Sequence, residues 1–188
     1  LIVGNNCIIR EFVTLNRGTK ETGQTLSGNI CLFMAYSHVA HDCIVGDNVI
    51  MANAATLGGH VEVGEKAVLG GLVAVHQFCR IGKLAMLGGG AMVAQDIPPF
   101  TQAQGDRARL IGLNLVGLRR AGFSSALIEE IKSAYRILFN SGLTLQEALD
   151  QLSASSPSPE VNLLLDFIRT SRRGVSRPRH KDEPFDDE

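Results

Sequence analysis

The sequence predicts a β-solenoid of six-residue repeats followed by a small α-helical domain, and three observations carry that expectation. An aliphatic residue recurs every six positions through the first half of the chain, a small residue usually follows it, and past Pro98-Pro99 the period becomes helical. Stepping by six from Val3 meets Ile9, Leu15, Phe33, Val39, Val45, Met51, Leu57, Val63, Leu69, Val75, Ile81, Leu87 and Val93, which makes fourteen apolar residues in sixteen steps and rules out chance periodicity. Only Glu21 and Ser27 break the series, and both fall in the Gly/Thr-rich stretch 18–28. The following position holds Gly4, Gly46, Gly58, Gly64, Gly70, Gly82 and Gly88, with Ala40, Ala52 and Ala94 between them. A period of six fits neither a helix nor a hairpin array. It fits short parallel strands, one flat side per hexad, with three hexads closing an 18-residue triangular coil. In this reading the aliphatic residue points into the prism, the small residue permits a tight turn, and each coil hydrogen-bonds to the next.

After the connecting stretch, Leu127, Ile128, Ile131, Ala134, Tyr135 and Leu138 recur at helical spacing behind Ser124 or Ser125 as cap, ending near Ser141-Gly142. Thr144 with Glu147 forms a capping box for a second helix to about Leu152, and Val161 to Thr170 reads as a third. The expected organisation is therefore a solenoid over residues 1–100, a helical domain over 101–174 and a disordered, charge-blocked tail over 175–188. The chain opens on Leu1, inside a repeat, so further N-terminal coils are expected to precede it.

Composition narrows the function. A formal charge of −1 provides no field for nucleic acid, and no apolar run reaches the roughly 18 residues of a membrane span. Cys7, Cys31, Cys43 and Cys79 show no metal or redox spacing and read as reduced, buried small hydrophobes, which fits a cytoplasmic protein. No G-x-S-x-G elbow is present, so neither Ser nor Cys is expected to act as a nucleophile.

The histidines carry the chemistry. His41 to His60 is 19 residues and His60 to His76 is 16, so an 18-residue coil brings them, with His38, toward one edge of the prism. A general base needs a pKa near working pH and an orienting partner, and His41-Asp42 supplies both residue types. Neighbours on a strand point apart, so their contact requires a corner there. Clustered histidines can alternatively hold zinc, as in a trimeric carbonic-anhydrase-like solenoid.

The runs Ser37-His38-Val39-Ala40-His41-Asp42-Cys43, Gly59-His60-Val61, His76-Gln77-Phe78-Cys79, Val93-Ala94-Gln95-Asp96-Ile97-Pro98-Pro99, Gln104-Gly105 and Asn114-Leu115-Val116-Gly117-Leu118 resemble the UDP-N-acetylglucosamine O-acyltransferases, from the first residues to about Gly174. The resemblance implies a left-handed coil and a cytoplasmic homotrimer with active sites between neighbouring solenoids. It implies transfer of a 3-hydroxyacyl group from acyl carrier protein to the sugar 3-hydroxyl of UDP-N-acetylglucosamine, the first step of lipid A biosynthesis, without metal or organic cofactor. By it His41 is the base, Asp42 orients it and the Gly59 N–H stabilises the oxyanion. His38, His60, His76 and Gln77 line the substrate cleft, Asn114 and Arg120 reach the nucleotide, and Gly89 limits acyl length. The chain departs from the family at Val116, where an acid is usual, at Ala121 after Arg120, and at Asn16, where His is common. Arg169, Arg172, Arg173, Arg177, Arg179 and Lys181 form a basic run without an intervening acid, and Arg119, Arg120, Arg172 and Arg173 suit docking of an acidic carrier protein. Related hexapeptide enzymes that acylate an amine or a diamino sugar nucleotide are the alternative.

Overall fold

The computed structural model describes residues 1–178. Two-residue strands stack into three parallel sheets, one per side of a triangular prism. The first sheet contains Ile2–Val3, Leu26–Ser27, Ile44–Val45, Glu62–Val63 and Arg80–Ile81. The second contains Ile8–Ile9, Leu32–Phe33, Ile50–Met51, Val68–Leu69 and Met86–Leu87, and the third Thr14–Leu15, His38–Val39, Thr56–Leu57, Ala74–Val75 and Met92–Val93. Partners such as Leu26, Ile44, Glu62 and Arg80 fall 18 residues apart, as three hexads per coil require.

The first coil departs from that count. Ile2 pairs with Leu26, Ile8 with Leu32 and Thr14 with His38, each 24 residues on. One whole hexad is inserted between Leu15 and Leu26, at the corner from third to first sheet, and because it is a whole hexad the inward phase survives it. Ser27, a break in the apolar series, is consequently an ordinary inward position, 8% exposed and paired with Val3 and Val45.

Two columns fill the prism. The predicted one is buried from Phe33 to Val93, while Val3 and Ile9 of the first coil are exposed. The second lies two residues earlier in each hexad and holds Cys31, Cys43, Val49, Ala55, Val61, Ala67, Val73, Cys79, Ala85 and Ala91, all buried. Burial raises the thiols of Cys31 and Cys43 and pushes Cys79 up to about 11, so these cysteines stay protonated packing groups.

The turn is not made where the small residues suggest. Through most of the stack the residue three after the inward position adopts the left-handed conformation: Asn6, Ile30, Asp42, Asn48, His60, Lys66 and Phe78 have φ between 56 and 65°. Its N–H is tied to the coil below, as from His60 to His41 O at 3.0 Å and from Phe78 to Gly59 O at 3.0 Å. The glycines serve coil stacking instead, since a Cβ at Gly46, Gly58, Gly64 or Gly70 would lie 2.5–2.8 Å from a backbone nitrogen of the next coil.

The solenoid continues beyond residue 100, where a domain boundary was expected. Thr101–Gln104 adds in parallel to Met86–Leu87, and Arg109–Leu113 pairs antiparallel with it, closing the second sheet. A short helix α1 (Leu115–Arg120) follows, which the sequence pattern did not reveal. The three expected helices are α2 (Ser125–Asn140), capped by Ser124, α3 (Leu145–Ala154), with the Thr144/Glu147 capping box, and α4 (Pro159–Arg169), capped by Ser158. Their apolar faces form a second core that reaches the solenoid through Leu84 and Phe100.

The tail expected to be disordered from 175 is ordered as far as it is described. Val175 and Ser176 are buried, Ser176 N–H donates to Asp96 O at 2.9 Å, and Asp96 accepts from Ser171 Oγ at 2.7 Å. These bonds strap the chain after α4 onto the last coil. Residues 179–188, including Arg179 and Lys181, lie outside the described residues. No helix among the described residues is long and apolar enough to cross a membrane.

Leu69 is fully buried at an inward position in the middle of the stack. Leu69→Ala should cost about 2–5 kcal/mol, as read by urea unfolding.

Candidate active site

The corner from third to first sheet collects six of the predicted residues. It carries His41 and Asp42 in one coil, Gly59 and His60 in the next, and His76 and Gln77 in the one after. The left-handed slot of this corner stacks Asp42, His60 and Phe78 at 18-residue intervals. Phe78, which the histidine spacing did not single out, therefore stacks on the His60 ring at 4.6 Å. His76 stands two residues earlier, exposed, with Nδ1 3.0 Å from Gln77 O. His38 lies on the third sheet just before the corner, its Nδ1 2.6 Å from Thr14 Oγ1.

The corner turns Asp42 back against its neighbour, as the adjacency of His41 and Asp42 required. His41 Nδ1 is 2.8 Å from Asp42 Oδ2, the imidazole 43% exposed and the carboxylate wholly covered. Burial alone pushes that carboxyl up, but the hydroxyls of Thr22 and Thr19, the His41 imidazole and the Thr19 N–H together outweigh it and hold the group below the usual carboxylate range. An ionised Asp42 can only accept, so His41 carries a proton on Nδ1, and Nε2 is the ring atom left to exchange one. His60 approaches the pair edge-on, its ring 5.3 Å from that of His41, and its Nε2 lies 3.4 Å from Glu21 Oε2.

Gly59 fits against this ring because it has no side chain. A Cβ there would lie 2.6 Å from His41 Cε1 and 2.8 Å from Nε2. Among the described residues no acceptor takes the Gly59 N–H. Beside His60 and Phe78 opens a cleft of about 600 Å³ bordered by Arg80, Thr170, Arg172 and Arg173.

The remaining predicted residues lie elsewhere. Gly89 is exposed on the edge between second and third sheets, stacked on Gly71, where a Cβ would meet Gly71 O at an ordinary 3.4 Å. Asn114 is buried and committed to the fold, its Oδ1 capping α1 through Gly117 N–H at 3.0 Å and its Nδ2 donating to Leu84 O at 2.9 Å. Arg120 is exposed in the last turn of α1. The sequence reading missed Thr19, Thr22 and Thr25. Their only signal was the break in the six-residue period, which marks where the inserted hexad leaves the stack.

Among the described residues, the ligand atoms of His41, Asp42 and His60 lie within 4.8 Å of one another, close enough for a metal ion. The donor set fits poorly, because both Asp42 oxygens already accept protons from neighbours and His41 Nδ1 is spent on one of them.

A parallel solenoid with imidazoles on one edge and helices closing its end is the architecture of the hexapeptide-repeat transferases. The family profile described as Udp N-acetylglucosamine O-acyltransferase, Domain 2, matches residues 96–176. Curated acyl-[acyl-carrier-protein]–UDP-N-acetylglucosamine O-acyltransferases are similar along nearly the whole chain. That of Gloeothece citriformis is 48% identical over 92% of this chain and 64% of its own length, and that of Nautilia profundicola 49% over 95% and 70%. The chain thus spans about two thirds of these relatives. The solved UDP-N-acetylglucosamine acyltransferase from Campylobacter jejuni is 42% identical with a TM-score of 0.91, covering 95% of this chain and 71% of that one. This chain belongs to the UDP-N-acetylglucosamine O-acyltransferase family, and it shares the left-handed β-helix of the solved relatives.

A carboxyl whose folded pKa lies below its unfolded one stabilises the fold above the unfolded value, and that contribution is lost as pH falls through the folded value. Stability of the native sequence should therefore drop more steeply than that of Asp42→Asn between about pH 5 and about pH 2. Urea unfolding across that range reads the difference.

Proposed function

We propose that this chain transfers a 3-hydroxyacyl group from acyl carrier protein to the 3-hydroxyl of UDP-N-acetylglucosamine, the reaction that opens lipid A biosynthesis. Family membership supports the donor and acceptor, which the relatives' names state. The observation that carries the chemistry is the 2.8 Å contact between His41 Nδ1 and Asp42 Oδ2, which commits Nδ1 to the carboxylate and leaves Nε2 as the ring atom that can exchange a proton.

In this mechanism the sugar 3-hydroxyl loses its proton to His41 Nε2 as its oxygen attacks the thioester carbonyl carbon. Negative charge moves to the carbonyl oxygen, where the Gly59 N–H meets it, and loss of such a donor typically costs about 2.7–4 kcal/mol. The C–S bond then breaks, the thiolate takes the proton from His41, and ester and free thiol leave. Asp42 stays ionised throughout and stabilises the imidazolium.

His38, His60, His76 and Gln77 contact the sugar and the donor along the same edge. Arg120 meets the nucleotide phosphates, and Asn114 serves that contact by fixing the start of α1. The assembly is a cytoplasmic homotrimer in which neighbouring edges enclose each site, and Arg119, Arg120, Arg172 and Arg173 attract the acidic carrier protein. Gly89 leaves room for a long acyl chain.

His41→Ala should lower kcat by about 10²–10⁴-fold with little change in KM. The assay is thiol release from 3-hydroxyacyl carrier protein in the presence of UDP-N-acetylglucosamine, with mass spectrometry of the product. A negative result with that acceptor and turnover with an amino-sugar nucleotide would assign the related N-acyltransferase activity instead. Gly89→Met should shorten the preferred acyl chain, read by competing donors of graded length, and an unchanged length profile would remove Gly89 from the role.

A further inference from the structure

We infer that the inserted hexad of the first coil is a positioning element of the active site, in which Thr19 and Thr22 hold the Asp42 carboxylate against His41. The inference rests on the proposed role of His41 as base and adds the residues that act through Asp42.

The position of the insertion is the first ground. Among the described residues a whole hexad is inserted at one place, between Leu15 and Leu26, and that place is the corner that one coil later bears His41 and Asp42. A hexad inserted at either of the other two corners of that coil would preserve the phase equally well and would lie away from the site.

The hydrogen bonds are the second ground. Asp42 Oδ1 accepts the Thr19 N–H at 3.0 Å and the Thr22 hydroxyl. Oδ2 accepts the Thr19 hydroxyl at 2.7 Å and His41 Nδ1–H at 2.8 Å. The backbone N–H of Asp42 donates to Thr25 Oγ1 at 2.7 Å, which fixes the left-handed turn from below. With both oxygens occupied, the carboxylate can neither rotate away from the ring nor take up a proton from it without breaking a bond to the loop. The same loop reaches His60 through Glu21, at 3.4 Å. The titratable groups facing Asp42 are thus His41 and His60, with Glu21 beyond the latter.

The test uses the full-length enzyme and the thiol-release assay. Thr22→Val keeps the shape of the side chain and removes the hydroxyl. It should lower kcat by about 10- to 100-fold with both KM values retained, shift the acid limb of the pH profile upward, and be restored by Thr22→Ser. In an Asp42→Asn background, Thr22→Val should bring no further loss, because the group it positions is gone. Full activity of Thr22→Val, failure of Thr22→Ser to rescue, or losses that add to those of Asp42→Asn would overturn the inference. Failure is separable from failure of the functional reading: an active His41→Ala enzyme removes the base itself, whereas an inactive His41→Ala with a fully active Thr22→Val removes only the role of the loop.

Discussion

The parallel backbone hydrogen bonding between successive coils is the constraint on which the rest depends. Adjacent strands sit about 4.8 Å apart, so residues 18 apart in sequence are held one above another on the same slot of the prism. Asp42, His60 and Phe78 become a column for this reason alone, and His41 and Gly59 become neighbours because they share the slot beside it. Small shifts in register would move every side chain to another slot, yet the two inward columns of aliphatic and small residues penalise any such slip by exposing the core. Core and site are therefore specified by the same interaction.

The site spends some of that stability. Asp42 and His60 both hold left-handed backbone, a conformation uncommon outside glycine though Asp and His tolerate it more readily than most. The corner supports it by tying the N–H of His60 to the coil below and that of Asp42 to Thr25. Burying a carboxylate is costly unless it is fully hydrogen-bonded, and here donors from the inserted hexad and from His41 occupy both oxygens. The exposed imidazole and the covered carboxylate divide the work: one meets substrate, the other meets only protein. A closed prism core supplies rigidity, and the irregular loop supplies the polar partners that a regular hexad lacks.

Much of this was legible in advance, and the errors are informative. The turn was assigned to the small residues because glycine usually marks a tight turn, whereas in this stack glycine answers to the proximity of the next coil. His76 was grouped with His41 and His60 by spacing, but 16 residues is two short of a full circuit, so Phe78 takes the stacked place. The ordered strap at Val175 and Ser176 was invisible because its polar, charged surroundings resemble a solvated tail, and its pairing partner, Asp96, lies far away in sequence. Asn114 was singled out by resemblance alone, and the sequence pattern gave no sign that its side chain also caps α1.

The order of residues by itself determined the period, the triangular coil, the three longer helices with their caps and the edge on which the histidines gather. Each of these follows from local pattern, since a six-residue repeat of burial admits one kind of stack. Only the tertiary structure decided that the interruption between Leu15 and Leu26 is a whole inserted hexad, that it bulges at the corner of the base, and that its threonines reach the carboxylate of the next coil. Those contacts join residues about twenty positions apart across a corner, through hydroxyl directions that no periodicity encodes.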